Sequence, residues 1–301
     1  APGAVDDGSG TASVIETARV LSKFKFDKTI VYGTLVGEEQ GLLGGQQLAR
    51  YAKEQGWQIE GVLNNDIVGN SQGIGGQVDN LTFRIFSEPV SAQETEGDRR
   101  SRRVMGGEID GPSRQLARYV FGVTRQVLPM MQPKLVYRLD RFGRGGDHRA
   151  FNDQGFAAVR ITEAFENYNR QHQNVRTENG IDYGDLPDQA DFPYAARLAG
   201  INAATLAALA WAPPAPASVR LRGGGSASTS LSWEAAPGAV GYKIYWRDTT
   251  DPLWSQSRYV SGVAEFTLDG ILIDDHLFGV ASVGANGHES LVTFPTPAPG
   301  R

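Results

Sequence analysis

Over the first two thirds of the chain, apolar positions switch repeatedly between a helical period and an alternating one. Val14, Ile15, Ala18, Val20 and Leu21 recur at helical spacing, and the β-branched and aromatic run 29–36 then predicts a buried strand. Residues 42–53 return to the helical pattern, and 62–68 and 81–86 read as strands. Ser113, a residue type suited to an N-cap, opens a helix that runs to Val127. Strand-like 135–139 and 157–162 follow, and an alanine-rich helix over 190–211 closes the region. Alternation of this kind predicts a three-layer α/β/α fold with a mostly parallel central sheet covered on both faces. Ligands of such a sheet lie beyond the carboxyl ends of its strands.

A proline- and alanine-rich linker at 212–217 breaks the pattern, and short strands punctuated by Gly, Pro and Asn follow it. The expected division is therefore 1–212 and 213–301. In the second part, 230–233, 241–246 and 278–283 alternate with period two, and Ala285-Asn286-Gly287 marks a turn. Strand order and length resemble a fibronectin type III sandwich, an all-β unit, with Trp233 on its second strand and Tyr242 on its third. One position departs from that pattern: His276 stands where those domains usually carry a corner tyrosine.

Composition narrows the chemistry. In 301 residues, 40% are hydrophobic and 21% charged, the formal net charge is −5, and there is no cysteine. No apolar run approaches the roughly 18 residues of a spanning helix, and the charge gives no reason to expect nucleic acid or an anionic membrane as a partner. Without cysteine, thiol nucleophiles, disulfide frameworks and iron–sulfur clusters are excluded, so a metal must sit on carboxylates and imidazoles. The basic run Arg99-Arg100-Ser101-Arg102-Arg103 is flanked by Glu94, Glu96, Asp98 and Glu108 and reads as a solvated loop. Trp254, in a proline-containing loop, is the one tryptophan of the second part free to serve as a binding platform by this reading.

Three acidic groups, Asp6-Asp7, Glu38-Glu39 and Asp66, fall at strand ends or in loops, where carboxylates are costly unless a cation holds them. Of four histidines, His276 and His288 lie in the second part, leaving His148 and His172. The segments Ala1 to Gly10 (APGAVDDGSG), Gly37-Glu38-Glu39-Gln40-Gly41-Leu42, Asn65-Asp66 and Gly146-Asp147-His148, with His172 downstream, resemble in order and spacing the bacterial leucyl aminopeptidase family of dizinc exopeptidases. That resemblance implies two zinc ions bridged by Asp6, one site completed by Glu39 and His172, the other containing Asp66, and Glu38 as general base. It implies a zinc-dependent exopeptidase that hydrolyses terminal peptide bonds through a metal-bound hydroxide. Asp147 and His148 read as supporting or capping residues.

Two departures qualify the resemblance. The family's remaining ligand, a histidine, lies upstream of the Pro-Gly-Ala segment at which this chain opens, so one site is expected to lack its imidazole unless an N-terminal segment or fragment supplies it. Where the aminopeptidases place a tyrosine that stabilises the oxyanion, the nearest candidate here is Arg144, which can hold an oxyanion or grip a substrate carboxylate. The alternatives left open are a metal-deficient, catalytically silent scaffold and a zinc carboxypeptidase or glutaminyl cyclase. A peptide substrate, and a periplasmic or secreted location suggested by the appended sandwich, complete the expectations.

Overall fold

A computed structural model describes residues 1–298 and divides them into two compact units. In chain order the helices are α1 (Gly8–Leu21), α2 (Leu43–Glu54), α3 (Glu96–Met105), α4 (Pro112–Val127), α5 (His148–Asp153) and α6 (Phe192–Trp211). The strands are β1 (Val62–Asn65), β2 (Thr82–Ser87), β3 (Gln132–Val136), β4 (Ala158–Glu163), β5 (Arg176–Glu178) and β6 (Ile181–Tyr183), followed by β7 (Arg220–Arg222), β8 (Ser228–Ser232), β9 (Ala239–Asp248), β10 (Gln256–Ser261), β11 (Glu265–Asp269), β12 (His276–Gly284) and β13 (Thr296–Pro297). The units are not the contiguous halves suggested by the linker. Residues 26–29 and 89–115 belong with the part that begins at Ala208, and the first unit comprises 1–25, 30–88 and 116–207.

The first unit is mixed α/β. Its sheet has the order β1-β4-β2-β3, with β1 parallel to β4, β2 parallel to β3, and β2 antiparallel to β4. All six residues of β4 are buried, so both faces of the sheet are covered at that strand. On one flank Ala49 of α2 and Ala150 and Phe151 of α5 form a core with Ala158 of β4; small residues at 49, 150 and 158 let these elements approach closely.

One expected strand is absent. Residues 29–36 pair in no ladder, and Val31 and Val36 are exposed. Strand propensity describes how a residue fits a pleated, half-buried surface, and it realises nothing without a neighbouring strand to pair with. The sheet is likewise less parallel than expected because β2 and β3 run against β4.

In the second unit, β10-β9-β12 form one antiparallel sheet and β11-β8-β7-β13 another, antiparallel except where β13 runs parallel to β7. Leu231, Trp233, Tyr242, Ile244, Leu268, Phe278 and Val280, drawn from both sheets and their connections, share one core, as alternation along each strand dictates. The Tyr242 hydroxyl accepts the Ala236 N–H at 2.8 Å. His276 begins β12 and meets the Leu272 carbonyl oxygen through Nδ1 at 2.9 Å.

This unit is not purely β. The basic run expected to be a loop lies in α3, where Thr95 and Asp98 close a capping box. Arg99 pairs with Glu96 and Arg102 with Glu94, the latter at 2.8 and 3.0 Å. Spacing of three between Glu96 and Arg99 places opposite charges on one helix face, so acids and bases that read as a solvated loop stabilise a helix. Met105, its last residue, packs on the core of the two sheets. Beyond it the Asp110 carboxylate meets Arg247 of β9 at 2.7 Å with both side chains out of solvent. Trp254 is not a free platform: its Nε1–H donates to Gln115 at 3.1 Å, and the Arg247 guanidinium lies 5.1 Å from its ring centre.

Candidate metal centre

The parallel pair β1 and β4 ends at one edge of the first unit's sheet, and the chemistry collects there. Asp66 immediately follows β1. The chain leaving β4 at Glu163 carries Glu166 and then His172, which has φ of 57°. The left-handed region is one that His enters more readily than most side chains. Asp6 arrives by another route: the N–H groups of Val5 and Asp6 donate to the Asp185 carboxylate at 2.8–2.9 Å. Asp7 caps α1 by accepting the Gly10 N–H at 3.1 Å and also accepts the Ile67 N–H at 3.1 Å, which ties the start of the chain to the residue after Asp66. Glu38 and Glu39 sit in the turn before α2. The Glu38 carbonyl oxygen accepts the N–H groups of Gly41 and Leu42 at 3.0 and 2.8 Å, and Gly37 has φ of 72°, so the turn needs glycine where it begins.

Three of the four expected ligands converge. Nε2 of His172 lies 2.9 Å from Asp6 Oδ2 and 2.8 Å from Glu39 Oε1, and one donor atom from each residue falls within 4.8 Å of the others. Asp6 Oδ2 is buried and has no hydrogen bond of good geometry despite that short approach. Lone pairs converging on a common point, with a buried oxygen left unsatisfied, suit a cation better than a hydrogen-bonded cluster. One imidazole and two carboxylates form a donor set that zinc accepts.

Asp66 does not join this trio. It lines the same cleft as Asp6, Glu38, Glu39 and His172, about 470 Å³ in volume, and its carboxylate pairs with Arg160 of β4 at 2.8 Å. Gly146 makes room for this pair, since a Cβ there would lie 2.9 Å from Arg160 Nη1 and 3.0 Å from Asp66 Oδ2.

Crowded acids raise one another's proton affinity. Burial first, and then the charges of Asp66, Glu39 and Asp147, push Glu38 up to about 7. Burial and Asp66 bring Asp147 to about 6, against the Gly45 N–H that it accepts. Asp6 and Asp66 also stand above the usual carboxylate range through burial, opposed most by His172 and Arg160 respectively. A bound cation reverses this penalty, because it favours every ionised carboxylate around it. The residues present therefore fit zinc.

Arg144 lies in the same cleft, already engaged: its Nη1 donates to Glu166 at 2.8 Å and Gln171 at 3.2 Å. Glu166 also receives Arg141 at 3.0 Å and Arg84 at 2.8 Å, and against its burial these two cations, Arg141 foremost, hold its carboxyl down at about 2. His148 is fully buried, with Nε2 2.9 Å from the Leu139 carbonyl oxygen. It is a core histidine and not a member of the cluster.

Arg160, Glu166 and Asp185 were not singled out from the sequence. Arg160 carried a usable signal, a lone charge inside the apolar run 157–162, where a buried cation demands a partner. Asp185 carried none, since its role depends on backbone 180 residues away.

Residues 1–87 match peptidase family M28. A protein named "Probable zinc metalloprotease" in Leptosphaeria maculans is 42% identical over 300 residues, covering 99% of this chain and 69% of that relative. Another of that name in Pyrenophora teres f. teres is 42% identical over 99% of this chain and 62% of its own length; the chain thus spans under two thirds of some relatives and slightly more of others. Among solved structures, the LapA aminopeptidase of Legionella pneumophila is similar over 69% of this chain and 48% of its own, at 21% identity and a TM-score of 0.47. A fibronectin domain of human collagen XX is similar over 28% of this chain and 90% of its own, at 29% identity and a TM-score of 0.23. On the extent of the metalloprotease relationship, the chain belongs to peptidase family M28, the zinc metalloproteases, and with it to the hydrolases that act on peptides.

Proposed function

We propose that the chain is a zinc-dependent exopeptidase of aminopeptidase type, joined to a fibronectin type III-like unit. The observation that carries this reading is the convergence of Asp6, Glu39 and His172 in one cleft with Glu38. Asp6, Glu39 and His172 would hold one zinc ion, and Asp66 would contribute to a second. Zinc held there would supply Lewis acidity and bring the pKa of water to about 7. Glu38 borders the donors without belonging to the converging trio, the position required of a base that takes a proton from water and returns it to the leaving amine.

The test is release of the first residue from a peptide by the zinc-loaded chain, compared with the same peptide N-acetylated. Cleavage of the free peptide alone is expected. Equal cleavage of both, or removal of the last residue instead, overturns the assignment.

A further inference from the structure

The cleft is lined by charges of both signs, and the exopeptidase reading uses only the acids. Beside Asp6, Glu38, Glu39, Asp66 and Asp153 it is lined by Arg141, Arg144 and Arg149. Arg141 is consumed by Glu166, Asp140 and the Gly145 carbonyl oxygen, at 3.0, 3.2 and 2.9 Å. Arg144 is different. Its Nη1 is fixed by Glu166 and Gln171, about a third of its side chain remains open to solvent, and among the described residues no ion pair joins it to Asp6, Glu38, Glu39 or Asp66. Arg149, on the first turn of α5, brings its guanidinium to the same cleft with no ion pair among the described residues. Gly145 leaves it space, since a Cβ there would stand 2.9 Å from Arg149 Nη1.

Arg84, Arg141 and Arg144 pair with Glu166, Arg141 also with Asp140, while Arg149 and Asp153 of α5 bring one charge of each sign to the cleft. A guanidinium held rigidly by one edge presents its other N–H groups at a fixed angle, the arrangement that receives a carboxylate. Buried Glu166 receives Arg144 as well as Arg84 and Arg141, and with Gln171 it fixes one edge of the Arg144 guanidinium.

Building on the exopeptidase reading, we propose that Arg144 and Arg149 bind a carboxylate of the substrate on the leaving-group side, with Glu166 as the residue that positions Arg144. The preferred substrates are short peptides whose C-terminal carboxylate falls within the cleft. At about 470 Å³ the cleft is near the small end of the roughly 300–1,000 Å³ range of ligand pockets. An acidic side chain after the scissile bond offers the same chemistry from another source.

The zinc-loaded chain is given a tripeptide as the free acid and as the C-terminal amide, and a longer C-terminally amidated peptide with Asp or Asn in the position after the scissile bond. The free acid is expected to exceed the amide roughly 10- to 100-fold in kcat/KM, the worth of a charge-assisted hydrogen bond. Arg149→Gln should bring that ratio close to one, and Arg149→Lys should restore part of it. A preference only in the Asp and Asn pair assigns the site to side-chain carboxylates. Equal rates in both pairs, or a ratio untouched in Arg149→Gln, overturn the proposal. Calorimetric binding of the same peptides separates this from the exopeptidase reading. If nothing is cleaved, yet the acid binds more tightly than the amide and Arg149→Gln removes the difference, the carboxylate site stands and the exopeptidase assignment falls.

Discussion

His172 combines a strained backbone with an exposed ring: φ is 57° and about half of its side chain meets solvent. A side chain in that condition stays because something else holds it, and here the contacts that hold it are Asp6 and Glu39. His172→Ala should therefore weaken zinc binding by roughly 100-fold or more, beyond what loss of a supporting residue costs, as read by competition with a chromogenic chelator. Glu38→Gln should leave zinc content unchanged and lower turnover by roughly 10²- to 10⁴-fold, the usual contribution of a general base; loss of metal in that variant would make Glu38 a ligand. The meeting of Asp6, Glu39 and His172 was legible in the sequence because the first two stand in short motifs whose order matches a family and His172 follows them as one of two histidines outside the second part. The Asp66–Arg160 pair and the tie from Asp185 to the Asp6 backbone were not, since each joins positions more than 90 residues apart and no local pattern records such a meeting.

Helices and paired strands were legible where periodicity was long, as in α2, α4 and α6. The segment 29–36 failed because propensity cannot name a partner, and α3 was missed because its charges read as solvation when they were helix-stabilising pairs. Within the second unit, Arg247→Ala should destabilise by up to about 3–5 kcal/mol, because it removes the buried ion pair that Arg247 makes with the Asp110 carboxylate at 2.7 Å. Replacing both, Arg247→Met with Asp110→Leu, should recover most of that loss in urea denaturation. The start of α5 yields a pH dependence. Burial depresses His148 from 6.5 to about 4, so the unfolded chain binds a proton in that interval that the folded chain refuses. Its contribution is complete above about 6.5 and is lost as the pH falls towards 4, at most about 3 kcal/mol. Urea midpoints of the wild type and of His148→Gln, measured from pH 7 to 4, should converge as the pH falls.

At the scale of the whole molecule, the two-part composition was legible from the linker, but the membership of the parts was not. Nothing in a stretch such as 89–115 states that its core lies more than 100 residues downstream. Met105 packs on that core, and Gly107 stands against Phe294, where a Cβ would come within 2.7 Å of the ring. A chain ended at residue 207 should then leave α3 without a surface to pack on, and a helix of ten residues is marginal alone. Trypsin should cut it within 99–103 many-fold faster than the full chain, as seen by mass spectrometry of the first fragments.

That interleaving also sets an order of events during synthesis. A chain emerging amino end first completes every segment of the first unit by residue 207, while the second waits for β12 and the loop that carries Phe294. The stretch 89–115 leaves the ribosome long before its core exists, so at ordinary elongation speeds of about 5–20 residues per second it spends roughly 10–40 seconds unsheltered. Its composition suits that delay. Between Glu94 and Arg103 it is densely charged, with ion pairs that form within the segment itself, so it stays soluble while it waits and presents little apolar surface to a chaperone or a neighbouring nascent chain.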